Sequence, residues 1–169
     1  AYSSLLLLLG ITAAIEFSRL LAGQKASTAL TTALDVAGTI FMISGFIAAN
    51  LIGSPSIAWC FATLYILYLV ARLVCQLYLP ALDAIRSLGY SFFSQIYIAL
   101  PISLMTLLYS RCGTPHLVLG IFIMIWLNDT GAFIVGSAIG RHRLFPRISP
   151  KKSWEGFWGG VVFAIAAGI

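Results

Sequence analysis

Long apolar runs alternate with short polar breaks along the whole chain. Five runs, at about residues 3–22, 34–52, 57–79, 91–110 and 116–138, have the length and apolar character of transmembrane helices, and a sixth begins near residue 156. Gly23, Gly53-Ser54-Pro55, Pro80 and Gly113-Thr114-Pro115 punctuate them, and a longer break runs from Gly140 to Ser153. The pattern predicts an all-α, polytopic transmembrane helical bundle with five complete spans and the start of a sixth. It groups the chain into N-terminal transmembrane helices, 1–115, and a further membrane region, 116–169, that opens with the fifth span.

Composition agrees with lipid as the solvent. Of 169 residues, 60% are hydrophobic and 9% charged, against about a quarter charged in soluble domains. Spans of about 20 residues leave no room for a separate water-soluble catalytic domain, so chemistry must sit among the helices or in their loops. No basic residue precedes the apolar stretch from Ser3 to Ala14, so it reads as a span rather than a signal peptide. The chain starts at Ala1 and ends at Ile169 within an apolar run of about a dozen residues, and is expected to be a piece of a longer protein. Cys60, Cys75 and Cys112 form no C-x-x-C pair and read as single thiols.

Charge placement orients the spans. Lys25, Arg86, Arg141, Arg143, Arg147, Lys151 and Lys152 follow spans one, three and five, with Arg19 and Arg72 near the adjoining helix ends, whereas only Arg111 follows spans two and four. The positive-inside rule assigns the first set to the cytoplasm and Ala1 to the opposite face. The 139–156 loop is therefore expected to be cytoplasmic, and the expected location is an integral protein of a bacterial inner membrane.

Half of the basic residues lie between Arg141 and Lys152, where there is no acid. Such a loop suits lipid headgroups or a polyphosphate, and also serves as a topogenic anchor. Ser149-Pro150-Lys151-Lys152 reads as a helix start, with Ser149 as cap and Pro150 at the first helical position. Two lysines at the positive end of a helix dipole suggest a bound anion that offsets their cost, although Ser149 can also be a cap and nothing more. Asp129 is an acid inside an apolar span. It needs a basic partner, water or a metal, and a hard cation such as Mg²⁺ bridging a carboxylate to substrate phosphates satisfies it. Gly136/Gly140 and Gly156/Gly160 are G-x-x-x-G pairs, whose ordinary meaning is tight helix packing and whose other reading is a cavity wall beside Asp129 and Phe133. Glu155 can orient Lys151 or Lys152, contact a metal, or balance charge.

About thirty residues, from Asn128-Asp129-Thr130-Gly131-Ala132-Phe133 through Gly136, Gly140 and Arg141 to Ser149-Pro150-Lys151-Lys152-Ser153-Trp154-Glu155-Gly156, resemble the phosphatidate cytidylyltransferase (CDP-diacylglycerol synthase) family. Phe133 stands where that family often has Tyr, and Ser153 where it often has Thr. The earlier region resembles it only in hydropathy and at Tyr97-Ile98-Ala99-Leu100-Pro101. The resemblance implies a polytopic enzyme that joins CTP to phosphatidic acid, with a divalent metal. Lys151, Lys152 and Asp129 are then the expected catalytic residues, and Ser149, Arg147, Arg141 and Glu155 the expected substrate-binding ones. Asp129 helps hold Mg²⁺, and the family's second acidic signature, with the main metal ligands, is expected beyond Ile169. CTP, phosphatidic acid and the bilayer are the expected partners, nucleic acid is not, and a homodimer is left open. A CTP-dependent polyprenol or phytol kinase and a transporter of an anionic solute are the rival readings.

Overall fold

The computed structural model describes residues 2–22, 28–79, 83–147 and 149–168. Gly23, Lys25 and Pro80, read above as loop residues, lie outside the described set. The chain divides into two compact units, residues 1–111 and 112–169. Five helices are long and apolar enough to cross a membrane: Tyr2–Leu21, Ala29–Ile52, Pro55–Leu77, Ala84–Cys112 and His116–Ile139. The all-helical expectation therefore stands, with one small two-stranded sheet added to it.

In the first unit, α1 (Tyr2–Ala22), α2 (Ala29–Ile47), α3 (Pro55–Leu77), α4 (Ala84–Ser94) and α5 (Leu100–Cys112) follow in order. A π-helical turn, Ala48–Ile52, extends α2, and another, Gln95–Ala99, joins α4 to α5. α2 packs on both α1 and α3. Leu6, Ile43, Ile47, Ile98 and Ala99 form apolar core, but Thr31, Thr39, Ser87, Ser91, Gln95 and Ser103 are equally buried. Lipid already solvates apolar side chains, so close packing and polar contacts hold helices together in its place.

Two helices start earlier than the apolar pattern predicts. α2 begins at Ala29, because Thr28 and Thr31 form a reciprocal capping box. α4 begins at Ala84, where Asp83 Oδ1 accepts the Arg86 N–H at 3.2 Å. Thr31 in α2 and Ser87 in α4 face inward, whereas Arg86 is exposed.

The second unit is an α-helical hairpin. α6 (His116–Ile139) runs out to the pair β1 (Arg143–Phe145) and β2 (Ser149–Ser153), and α7 (Trp154–Gly168) returns along α6. Glycines set the spacing: a Cβ on Gly156 would lie 2.8 Å from the Ala132 carbonyl oxygen and 3.1 Å from Gly136 Cα. One on Gly160 would lie 2.7 Å from the Asn128 carbonyl oxygen. Of the two readings of the G-x-x-x-G pairs, packing is the one realised.

Candidate functional site

The break between α6 and α7 carries the highest density of charge, and its shape departs from the helix start predicted for it. Ser149 lies on β2 opposite Phe145, and Arg143 lies opposite Ser153, with a bulge between the two pairs. Pro150 lacks a backbone donor, which an edge strand tolerates as readily as a first helical turn does. The helix opens four residues later, where Ser153 Oγ accepts the Gly156 N–H at 3.1 Å. Lys151 and Lys152 therefore project from a strand, and the dipole argument does not apply to them.

Glu155, in the first turn of α7, fixes the base of this β-hairpin. Its carboxylate accepts the Arg141 N–H at 3.2 Å and the His142 N–H at 3.2 Å, and His142 Nδ1 lies 2.6 Å from Oε1. The Trp154 N–H donates back to the His142 carbonyl at 2.9 Å. These bonds, His142 foremost, hold the carboxyl down at about 2, well below the usual carboxylate range. Glu155 is thus a brace for residues 140–142, and it bonds neither Lys151 nor Lys152. Gly140 sits against Ser153 in the same corner, where a Cβ would lie 2.6 Å from Ser153 Oγ.

Once Glu155 is engaged, Arg141, Arg143, Arg147, Lys151 and Lys152 remain as exposed side chains, and none of them forms an ion pair or side-chain hydrogen bond with a described residue. Five cations on one braced β-hairpin make a strongly attractive surface for a polyanion. Asp129 lies ten residues before the end of α6, about 15 Å along the axis. It is exposed on its helix and makes no contact with the cations or any other described polar group. The structure thus gathers Arg141, Arg143, Arg147, Ser149, Lys151, Lys152 and Glu155 and leaves Asp129 apart.

A metal needs more than Asp129. Among the described residues no three His, Cys, Asp or Glu side chains converge. Asp129 offers a single carboxylate, too little by itself to enclose Mg²⁺.

A second polar cluster, in the first unit, was not anticipated. Asp35 on α2 is 7% exposed and Arg72 on α3 only 1%, and their charged groups lie 3.5 Å apart. Tyr68 donates to Asp35 Oδ1 at 3.1 Å and Ser91 to Oδ2 at 2.8 Å. Arg72 donates to Ser91, Gln76 and Ser87 at 2.9, 3.0 and 2.7 Å. A Cβ on Gly38 would lie 2.5 Å from the Tyr68 ring, so its absence lets that ring reach Asp35. Arg72, read from sequence as a helix-end charge, is a buried one. Its signal was one acid and one base in neighbouring spans, with serines at 87, 91 and 94 on one face of the next.

Residues 1–169 match the model of the cytidylyltransferase family. The chain belongs to that family. It is 44% identical over 64 residues to a phosphatidate cytidylyltransferase of Staphylococcus saprophyticus, covering 38% of this chain and 25% of that protein. The enzyme of the same name from Staphylococcus epidermidis is 52% identical over 44 residues, 26% of this chain and 17% of its own length. That from Staphylococcus aureus is 46% identical over 52 residues, 31% and 20% of the two chains. The matches thus span about a quarter or less of these relatives. No solved structure matches the chain.

Proposed function

We propose that this chain is part of an integral membrane enzyme that transfers the cytidylyl group of CTP to phosphatidic acid, giving CDP-diacylglycerol and pyrophosphate. The observation that carries the proposal is the braced cationic β-hairpin, whose five positive side chains have no counter-ion among the described residues. The names of the relatives supply the substrate class.

In this reaction a phosphate oxygen of the lipid attacks the α-phosphorus of CTP, the bond from that phosphorus to the bridging oxygen breaks, and pyrophosphate leaves. Both reactants are anions, so the enzyme must neutralise charge and align them. Lys151 and Lys152 hold the triphosphate, and Arg147 and Arg141 extend the positive surface on which the polyanion settles. Ser149 donates a hydrogen bond to a phosphate oxygen. Glu155 and His142 act indirectly, by keeping the base of the hairpin in one conformation. Were Mg²⁺ bound, it would neutralise phosphate charge, and Asp129 would offer it one carboxylate. The loop asymmetry supports a cytoplasmic hairpin in a bacterial inner membrane, the side on which CTP is found.

The test uses the full-length protein in detergent micelles with phosphatidic acid and CTP labelled at the α- or γ-phosphate. α-Label should enter the lipid product and γ-label should leave as pyrophosphate; γ-label in lipid would establish a kinase instead. Lys152→Ala should lower kcat/KM for CTP at least tenfold, the worth of one charge-assisted hydrogen bond at about 1.5–3 kcal/mol. Asp129→Asn should raise the Mg²⁺ concentration needed for half-maximal rate. Near-parent turnover of Lys152→Ala at limiting CTP would remove the triphosphate role.

A further inference from the structure

At the end of α1 and the start of α4, within the first unit, a surface groove of about 550 Å³ lies open between the two helices. That volume falls in the roughly 300–1,000 Å³ range of ligand sites. Phe17, Leu20, Leu21 and Phe93 line it with apolar surface, and the Phe17 and Phe93 rings approach to 6.1 Å. Arg86 stands at one end, the third residue of α4, while Phe93 lies seven residues, or about 10 Å, further along the helix.

The groove is therefore graded along the span: a cation near the helix ends, then aromatic and aliphatic walls towards the helix interior. A phospholipid has the same gradation, phosphate outermost and acyl chain beneath. Arg86 is free to take such a partner. Of the acids near it, Asp83 spends Oδ1 on the Arg86 backbone N–H, and Glu16 pairs with Arg19 at 3.4 Å. The Arg86 guanidinium itself makes no ion pair or hydrogen bond with a described residue. Gly89, between Arg86 and Phe93, keeps the middle of the groove open, since nothing lies within 4 Å of where its Cβ would be.

We propose that this groove binds one anionic phospholipid of the bilayer, its headgroup phosphate on Arg86 and one acyl chain laid over Gly89 and Tyr90 towards Phe17 and Phe93. A guanidinium binds a phosphate oxygen pair through parallel N–H donors, which gives an anionic headgroup an advantage over a zwitterionic one that carries its own counter-charge. The site uses none of the residues of the cationic β-hairpin and does not depend on the nucleotidyl-transfer reading.

Because the hairpin cations also attract anionic lipid, the experiment must locate the lipid rather than count it. The full-length protein is placed in phosphatidylcholine nanodiscs with a trace of phosphatidylglycerol carrying a diazirine on its acyl chain, irradiated, digested and mapped by mass spectrometry. Phosphatidylglycerol should label the segments 17–21 and 89–93 at least fivefold more than a phosphatidylcholine probe with the same chain. Arg86→Gln should remove that preference. Gly89→Leu, which keeps the charge and fills the groove where there is open space, should cut labelling of both segments at least fivefold, while Arg111→Gln should leave it unchanged. Thermal unfolding of each variant checks that the fold is retained. Equal labelling by the two probes, or undiminished labelling of both segments in Arg86→Gln or in Gly89→Leu, would overturn the proposal.

Discussion

Arg72 and Lys152 are both cations of a membrane protein, and their surroundings are opposite. Arg72 has Asp35 at 3.5 Å, two serine hydroxyls and a glutamine carbonyl around it, and is 1% exposed. Lys152 and its four neighbouring cations are exposed and have no partner among the described residues once Glu155 is committed to His142 and the backbone. A buried charge at membrane depth is tolerated only when it is paired and hydrogen-bonded, so the Arg72 cluster completes itself and pins α2, α3 and α4 to one another. The cations of the β-hairpin are held on a rigid base without completion, which is the condition for receiving an anion from outside. Charge density alone does not separate architecture from binding; the count of satisfied partners does.

The largest expected effect breaks the first half of this comparison. Arg72→Ala leaves the Asp35 carboxylate buried and uncompensated, and should cost about 3–5 kcal/mol of stability. Lys152→Ala should stay within about 0.5 kcal/mol of the parent. Thermal unfolding in detergent micelles measures both. The joint change of Asp35→Asn with Arg72→Gln should recover part of the loss, because no net charge is then stranded. If Arg72→Ala unfolds like the parent, the cluster is not what fastens the helices.

Much of this contrast could be read from sequence, and the unread part has a common cause. Apolar runs of the right length revealed the five spans, because the bilayer enforces that length on any helix that crosses it. Thr31 and Ser87 fall outside the spans that hydropathy marks, since a hydropathy reading cannot tell a polar residue facing water from a buried one. The cation cluster between Arg141 and Lys152 was visible as composition, but its shape was not. Pro150 suits the start of a helix and an edge strand equally well. Pairing of Ser149 with Phe145, together with the Ser153 cap, decides between them. Glu155 was ambiguous for the same reason, as its partners 13 and 14 residues away are brought to it only by the hairpin.

A smaller effect sharpens the contrast between the ways the two units are held. No polar cluster like that of Arg72 joins α6 to α7 among the described residues; backbone proximity at Gly136, Gly156 and Gly160 does. Gly156→Leu would drive a side chain into the Ala132 carbonyl and Gly136, and should cost about 1–3 kcal/mol, typical of overpacking. Gly89→Leu, with open space around it, should cost far less in the same unfolding assay. Equal losses would mean that the α6–α7 contact is looser than its geometry.

The smallest effect concerns Glu155, where the two halves of the comparison meet: it is a charge beside the cationic β-hairpin that behaves like the buried cluster. Its carboxyl is held down from 4.5 to about 2 in the folded chain, chiefly by His142 and then by backbone donors. A depressed acid stabilises the folded state at pH above its unfolded value and loses that contribution as pH falls through the folded one. The unfolding midpoint of the parent should therefore exceed that of Glu155→Gln above about pH 4.5, and the gap should close between pH 4.5 and about 2. Gln retains an acceptor oxygen for the Arg141 and His142 amides, so the gap measures the charge rather than the whole brace. A ¹³C-carboxyl titration of Glu155 should give the same depressed midpoint with or without Lys152→Ala, because neither lysine is among its partners. A midpoint that rises on removing Lys152 would make Glu155 the counter-ion of the hairpin, and Lys152 would then no longer be a cation left free for a polyanion.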